Sequence, residues 1–280
     1  MPDADGCYWL RRTPTIENVR AFHAVGPIDK LSIAKTRPIT KTRPLTAERA
    51  QPLRALPSVR WLWLWCETTR AAIKHVVAIP GLEILDVLNI KGSGKLSGFA
   101  SAPRLHTFRA NCSLHERDVL EIAECYSLRE LGIQRADLTD RALDALLALP
   151  NLESLDIEGT VFDDRMAERL SASESLQWLE IGATRLTRRG LEHLCTMPRL
   201  RGLDLWATPL AAEDYELLNR LPALEYVSIG SYDETPLDGE RLVPLLLSLP
   251  ALKRVWLDGV TLDRAKVAAL EGHVESVRVC

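Results

Sequence analysis

The chain has 280 residues, 46% of them hydrophobic and 26% charged, with 35 Lys/Arg against 38 Asp/Glu. That is the composition of a folded protein with ample core, and a net charge of −3 gives no general attraction to nucleic acid. No apolar run reaches the roughly 18 residues of a membrane span. The acidic start, Met1–Thr13, lacks the apolar segment of a signal peptide. Six cysteines without paired spacing fit a reducing compartment, so the expected location is the cytoplasm.

Residues 1–27 fit no repeat and are expected to form an N-terminal cap, with a helix around Thr15–Ala24. From Ile28 onward eleven strands are predicted. Their first apolar anchors are Ile28, Val59, Leu82, Leu105, Leu128, Leu152, Leu176, Leu200, Leu224, Leu252 and Val274. The frame is clearest over Pro150–Thr208, which reads PNLESLDIEGT, SLQWLEIGAT and PRLRGLDLWAT, so that Thr160, Thr184 and Thr208 recur every 24 residues. Between strands, stretches such as DLTDRALDALLALP carry apolar residues at helical spacing, with Thr139 or Thr187 placed as N-caps. Prolines 57, 80, 103, 150, 198, 222 and 250 stop each helix before the next strand. Parallel strands with helical crossovers follow from that alternation.

Two intervals depart from the period. Residues 35–46 are a tandem hexapeptide, KTRPIT KTRPLT, expected as a basic loop carrying Lys35, Arg37, Lys41 and Arg43. Residues 231–240 are a turn-rich insertion. The repeats beginning at Leu82 and Leu105 look degenerate, and KGSGK (Lys91–Lys95) reads as a turn in place of a helix.

Units such as LEIGATRLTRRGL (Leu179–Leu191) resemble the ~24-residue leucine-rich repeats common in bacterial proteins, which are similar in turn to ribonuclease-inhibitor-like horseshoes. The resemblance covers residues 28–280. It implies an α/β leucine-rich repeat solenoid, with a curved parallel inner sheet of about eleven strands and helices on the convex side. It also implies protein binding on the concave face. The family's usual asparagine after the strand is threonine here, and Thr160, Thr184 and Thr208 are read as structural, satisfying backbone groups of the turn.

No catalytic constellation emerges. The pair His193 and Cys195 lies two apart on a helix, facing different ways. Cys112, His115 and Cys125 offer only three ligands of a zinc set, so no metal and no cofactor are expected. The concave columns differ: the positions before, between and after the last two anchors of each strand hold six of the seven tryptophans. These are Trp61, Trp63, Trp65, Trp178, Trp206 and Trp256, and Tyr226 joins them. Glu130, Asp156, Glu158, Glu180, Asp204 and Asp258 share the same columns. Aromatic rings among carboxylates have the composition of a binding surface for a basic protein or peptide. The expected function is therefore non-enzymatic protein binding, as an inhibitor or an effector. A structural scaffold is one alternative. Binding of an anionic partner through the basic first 60 residues, 11 Lys/Arg against 5 Asp/Glu, is another. The last strand, His273–Cys280, leaves an edge through which a second copy could pair.

Overall fold

The computed structural model describes residues 3–10, 15–34, 44–231 and 237–280. The hexapeptide residues 35–43 and residues 232–236 of the insertion lie outside that description. The chain forms two compact units, one of residues 1–137 with 144–152, the other of residues 138–143 with 153–280.

In the first unit, β1 (Cys7–Leu10), β2 (Lys30–Ala34), β3 (Trp61–Thr69), β4 (Ile84–Lys91), β5 (Thr107–Ala110) and β6 (Glu130–Gly132) pair in that order, all parallel. In the second unit, β7 (Ser154–Asp156), β8 (Trp178–Glu180), β9 (Gly202–Asp204), β10 (Tyr226–Gly230), β12 (Arg254–Asp258) and β14 (Ser276–Val279) do the same. A small separate pair, β11 (Leu237–Asp238) with β13 (Val260–Thr261), closes the end of the insertion. All eleven anchored strands form, and β1 is a twelfth that the repeat frame misses. Its sequence, CYWL, contains no L-x-x-L spacing, yet it pairs residue by residue with Lys30–Ile33. The expected helix over Thr15–Ala24 runs Ile16–Val25 (α1).

The side chains of each strand alternate. One set, including Leu62, Leu64, Leu85, Leu131, Leu155, Leu179, Leu203 and Val227, is buried towards the helices. Those helices are α2 (Ala47–Ala50), α3 (Arg70–Val76), α4 (Glu116–Ile122), α5 (Asp140–Leu147), α6 (Asp164–Leu170), α7 (Arg188–Leu194), α8 (Gly239–Ser248) and α9 (Arg264–Glu271). Their starts are chemically marked. Thr69, Asp163, Thr187, Asp238 and Asp263 accept backbone N–H groups of the first turn, and Thr139 accepts from Ala142 at 3.1 Å. Among the described residues no helix is long and apolar enough to cross a membrane.

The repeated threonines do what the spacing requires. Thr160, Thr184 and Thr208 are buried, and each hydroxyl donates to the carbonyl three residues back, Ile157, Ile181 and Leu205, at 2.8, 2.8 and 2.6 Å. The residue before each threonine, Gly159, Ala183 or Ala207, has φ of 69°, 52° or 55°, which tightens the turn after the strand. Successive turns interlock, because Ala183 N–H donates to Trp206 O and Ala207 N–H to Gly230 O, at 2.7 and 2.9 Å. Replacing Thr184 by the isosteric valine leaves the Ile181 carbonyl short of a donor. Urea unfolding of that variant is expected to show a loss of about 1–2 kcal/mol.

The two repeats that look degenerate differ. The Leu105 repeat carries a regular helix, α4. The Leu82 repeat lacks one: after β4 come a turn at Gly92–Gly94 and a single 3-10 turn, Phe99–Ser101. Two devices replace the missing helix. Phe99 packs edge-on against Phe108 at 5.1 Å, both fully buried. A buried ion pair, Arg70 Nη2 to Asp118 Oδ2 at 2.7 Å, then fastens the loop from both sides. Arg70 donates to Gly92 O at 2.9 Å, and Asp118 accepts from the Leu96 and His115 amides at 3.0 and 3.1 Å.

Candidate functional site

The side chains on the other face of each sheet, away from the helices, build a candidate site in each unit. In the first unit, register places Lys30, Trp61, Ile84, Thr107 and Glu130 in one row across the strands. Ser32, Trp63, Asp86, Arg109 and Gly132 form the next. Trp61 and Trp63 lie against each other with ring centroids 4.1 Å apart, and Lys30 Nζ stands 5.4 Å from the Trp61 ring. Trp61 Nε1 donates to Asp86 at 2.9 Å. Arg109 bridges two strands, donating to Asp86 at 2.9 Å through one nitrogen and to Glu130 at 3.0 Å through Nε. Glu130, read from sequence as part of an unpaired acidic surface, is thus neutralised from within. Burial disfavours the Arg109 charge, but hydrogen bonds to Asp86 and Glu130 outweigh it and hold its pKa above the usual value.

The third row is broken by a β-bulge. Leu64 pairs with Val87 and Glu67 with Asn89, so Trp65 and Cys66 on β3 face the single residue Leu88 on β4. The bulge leaves Trp65 48% and Leu88 46% exposed, unusual for side chains of that size. Between them opens a hollow of about 290 Å³, lined by Trp63, Leu64, Trp65, Asp86, Val87, Leu88, Arg109 and Asn111. Sequence reading placed Trp65 on this face but missed Leu88, Asn111 and the hollow itself.

In the second unit the rows are sharper. Ser154, Trp178, Gly202, Tyr226, Arg254 and Ser276 stand side by side, and beside them Asp156, Glu180, Asp204, Ser228, Trp256 and Arg278. Glycine makes the aromatic packing possible. The Trp178 ring lies flat over Gly202, where an added Cβ would come within 1.9 Å of it, and Trp206 lies over Gly230, where a Cβ would meet it at 2.3 Å. Trp178 and Tyr226 approach to 6.4 Å across Gly202, and the Arg254 guanidinium caps both rings at 5.4 and 5.5 Å. Arg278 caps Trp256 at 4.8 Å. Trp206 reaches over Gly230 to donate its Nε1–H to Asp258 at 3.0 Å.

The carboxylates of this unit have structural duties as well. Asp156 accepts the Glu158 amide at 3.0 Å and Asp204 the Trp206 amide at 2.8 Å, each closing the turn after its strand. Burial pushes the Asp204 pKa up, with the Trp206 amide pulling the other way. Burial also raises Tyr226 to about 12, and the neighbouring Asp204 and Glu180 charges add to the rise while Arg254 opposes it. Asp156, Glu158, Glu180, Asp204 and Asp258 outnumber Arg254 and Arg278 here. In the first unit Asp86 and Glu130 are matched by Lys30 and Arg109. Acidic character therefore belongs to the second unit, and open apolar character to the first.

Cys195 is buried and its pKa is pushed up to about 12 by that burial, which keeps it a thiol. Among the described residues no three His, Cys, Asp or Glu side chains are grouped to hold a metal ion.

The parallel one-strand-per-repeat sheet, the helical crossovers and the stacked threonine turns define the fold as a leucine-rich repeat solenoid. No protein-family model matches the chain, and no curated protein matches it by sequence. Solved structures do match. An internalin from Listeria monocytogenes aligns with a TM-score of 0.52 and 18% identity, over 89% of this chain and 72% of that one. A protein from Bacteroides fragilis aligns with a TM-score of 0.53 and 17% identity, over 76% and 68%. TLR13, solved in complex with ssRNA13, aligns with a TM-score of 0.48 and 17% identity, over 90% of this chain and 40% of that one. At such identities the likeness is one of fold.

Proposed function

We propose that this chain is a non-enzymatic binding protein of the cytoplasm, whose aromatic and acidic sheet face grips a basic protein or peptide and so inhibits or redirects it. The observation that carries this reading is the set of cations already laid on the rings. Lys30 on Trp61, Arg254 on Trp178 and Tyr226, and Arg278 on Trp256 mark a surface whose rings suit ammonium and guanidinium groups. The carboxylate excess of the second unit supplies the charge complement, which raises encounter rate and specificity more than affinity. The hollow beside Trp65 and Leu88 supplies room for an apolar anchor, the usual centre of an interface hot spot.

The test is a titration of the intact chain with a nona-arginine peptide, followed by tryptophan fluorescence, with nona-glutamate as control. Binding of the basic peptide alone is expected. Trp178→Ala and Tyr226→Leu should each weaken it about tenfold or more while far-UV dichroism stays unchanged. Equal binding of both peptides, or wild-type affinity in both variants, would remove the proposal.

A further inference from the structure

We infer that Trp178 and Tyr226 form a seat for a partner's arginine side chain, and that Arg254 is the chain's own, displaceable occupant of it. The inference rests on the basic-partner reading above and adds the ligand group, its position and a built-in competitor.

The seat is assembled from three consecutive strands. Trp178 on β8, Gly202 on β9 and Tyr226 on β10 share one register row. With no side chain at Gly202, the Trp178 ring folds down over the middle strand and comes within 6.4 Å of the Tyr226 ring, tilted by 35°. Two rings side by side present one broad π surface. A planar, delocalised cation can face both rings at once, whereas a compact ammonium can approach only one closely. The geometry of the occupant agrees: the Arg254 guanidinium carbon stands 5.4 Å from one ring and 5.5 Å from the other.

Arg254 is also held loosely. It is exposed, next to last in the row, and among the described residues its guanidinium has no carboxylate partner. Arg201, on the neighbouring strand edge, is by contrast tied to Glu225. An arginine with five N–H donors and no acceptor loses only its ring contacts on leaving. The seat keeps its attraction for a cation after Arg254 leaves, because Glu180 and Asp204 stand in the adjacent register row, on the strands that carry Trp178 and Gly202. A partner's guanidinium entering the same place gains the same rings and adds whatever its own chain contacts.

The experiment is a double-substitution cycle on the intact chain, read as the dissociation constant for nona-arginine. If Arg254 competes for the seat, Arg254→Ala tightens binding by about five- to tenfold, because the competent, vacant form is no longer a minor population. In a Trp178→Ala background the same substitution should change affinity by less than about twofold, since no seat remains to be freed. Tyr226→Leu is the second background, in case Trp178→Ala perturbs the fold, and the same collapse of the gain is expected there. Nona-lysine should gain less than nona-arginine from Arg254→Ala. A gain of equal size with and without Trp178 and Tyr226 would mean that only repulsion was relieved, and would overturn the inference while leaving the basic-partner reading intact. So would no gain, or an equal gain for nona-lysine. Failure of nona-arginine to bind either the unaltered chain or Arg254→Ala would sink the basic-partner reading as well.

Discussion

Replacing Asp118 by alanine is expected to cost the first unit about 3–5 kcal/mol, the largest effect of any single substitution considered. The reason is what remains behind. Arg70 is almost fully buried, with 6% of its side chain exposed, and would be left as an unpaired charge in a closed core. The Leu96 and His115 amides would lose their acceptor in the same step, so the loop that stands in for a helix would come loose. The joint replacement Arg70→Met with Asp118→Leu removes both charges together and should cost much less than either single change. Urea unfolding, followed through the tryptophans of β3, measures all three variants.

The same pair carries a pH dependence. Burial alone raises the Asp118 pKa, but the Arg70 hydrogen bond and the two backbone amides outweigh it and leave the group below the usual carboxylate value. A carboxylate lowered on folding contributes stability above its unfolded pKa, about 3.9. That contribution is lost as pH falls through the lower folded value. The first unit should therefore lose stability below about pH 4, and the double apolar variant should lose less over the same window.

Gly202→Val is the second large effect, and it links fold to site. The first side-chain atom would stand 1.9, 2.4 and 2.9 Å from three Trp178 ring carbons, far inside contact distance. Either the ring lifts off the sheet or β9 shifts against β8. Overpacking of this kind costs about 1–3 kcal/mol. Lifting the ring also dismantles the surface shared with Tyr226, so nona-arginine binding should fall about as far as in Trp178→Ala. A red shift in tryptophan emission would report the lifted ring. Unchanged emission together with unchanged affinity would show that the ring does not rest on Gly202 as described.

Much of this architecture is readable before any coordinates. Leucines every 24 residues and threonines locked to the same period leave one solution, because a hydroxyl is needed at each turn and the turns stack. The tryptophan columns follow from the same ruler, since alternation fixes which face each residue takes. Other features depend on distances that no local pattern encodes. Strand β1 has no leucine frame, and forms because β2 offers an edge. The Arg70–Asp118 pair joins positions 48 residues apart, across a repeat whose helix is missing. The bulge at Trp65 is a register slip between two strands whose sequences each look regular. Gly202 and Gly230 fall in the tryptophan columns, and the room their missing side chains leave is taken by the Trp178 and Trp206 rings. What the sequence could not show is that Glu130 is answered by Arg109, and that Asp156 and Asp204 also serve the backbone.

The central claim is that the open sheet face, rather than the helical side, takes the partner. Oxidative footprinting of the intact chain with and without bound nona-arginine tests it most directly. Protection should appear at Trp178, Trp206 and Trp256, while Tyr126, 62% exposed just beyond α4, should react at the same rate in both states. Protection of Tyr126 with the three tryptophans unchanged would place the partner on the helices and contradict the account.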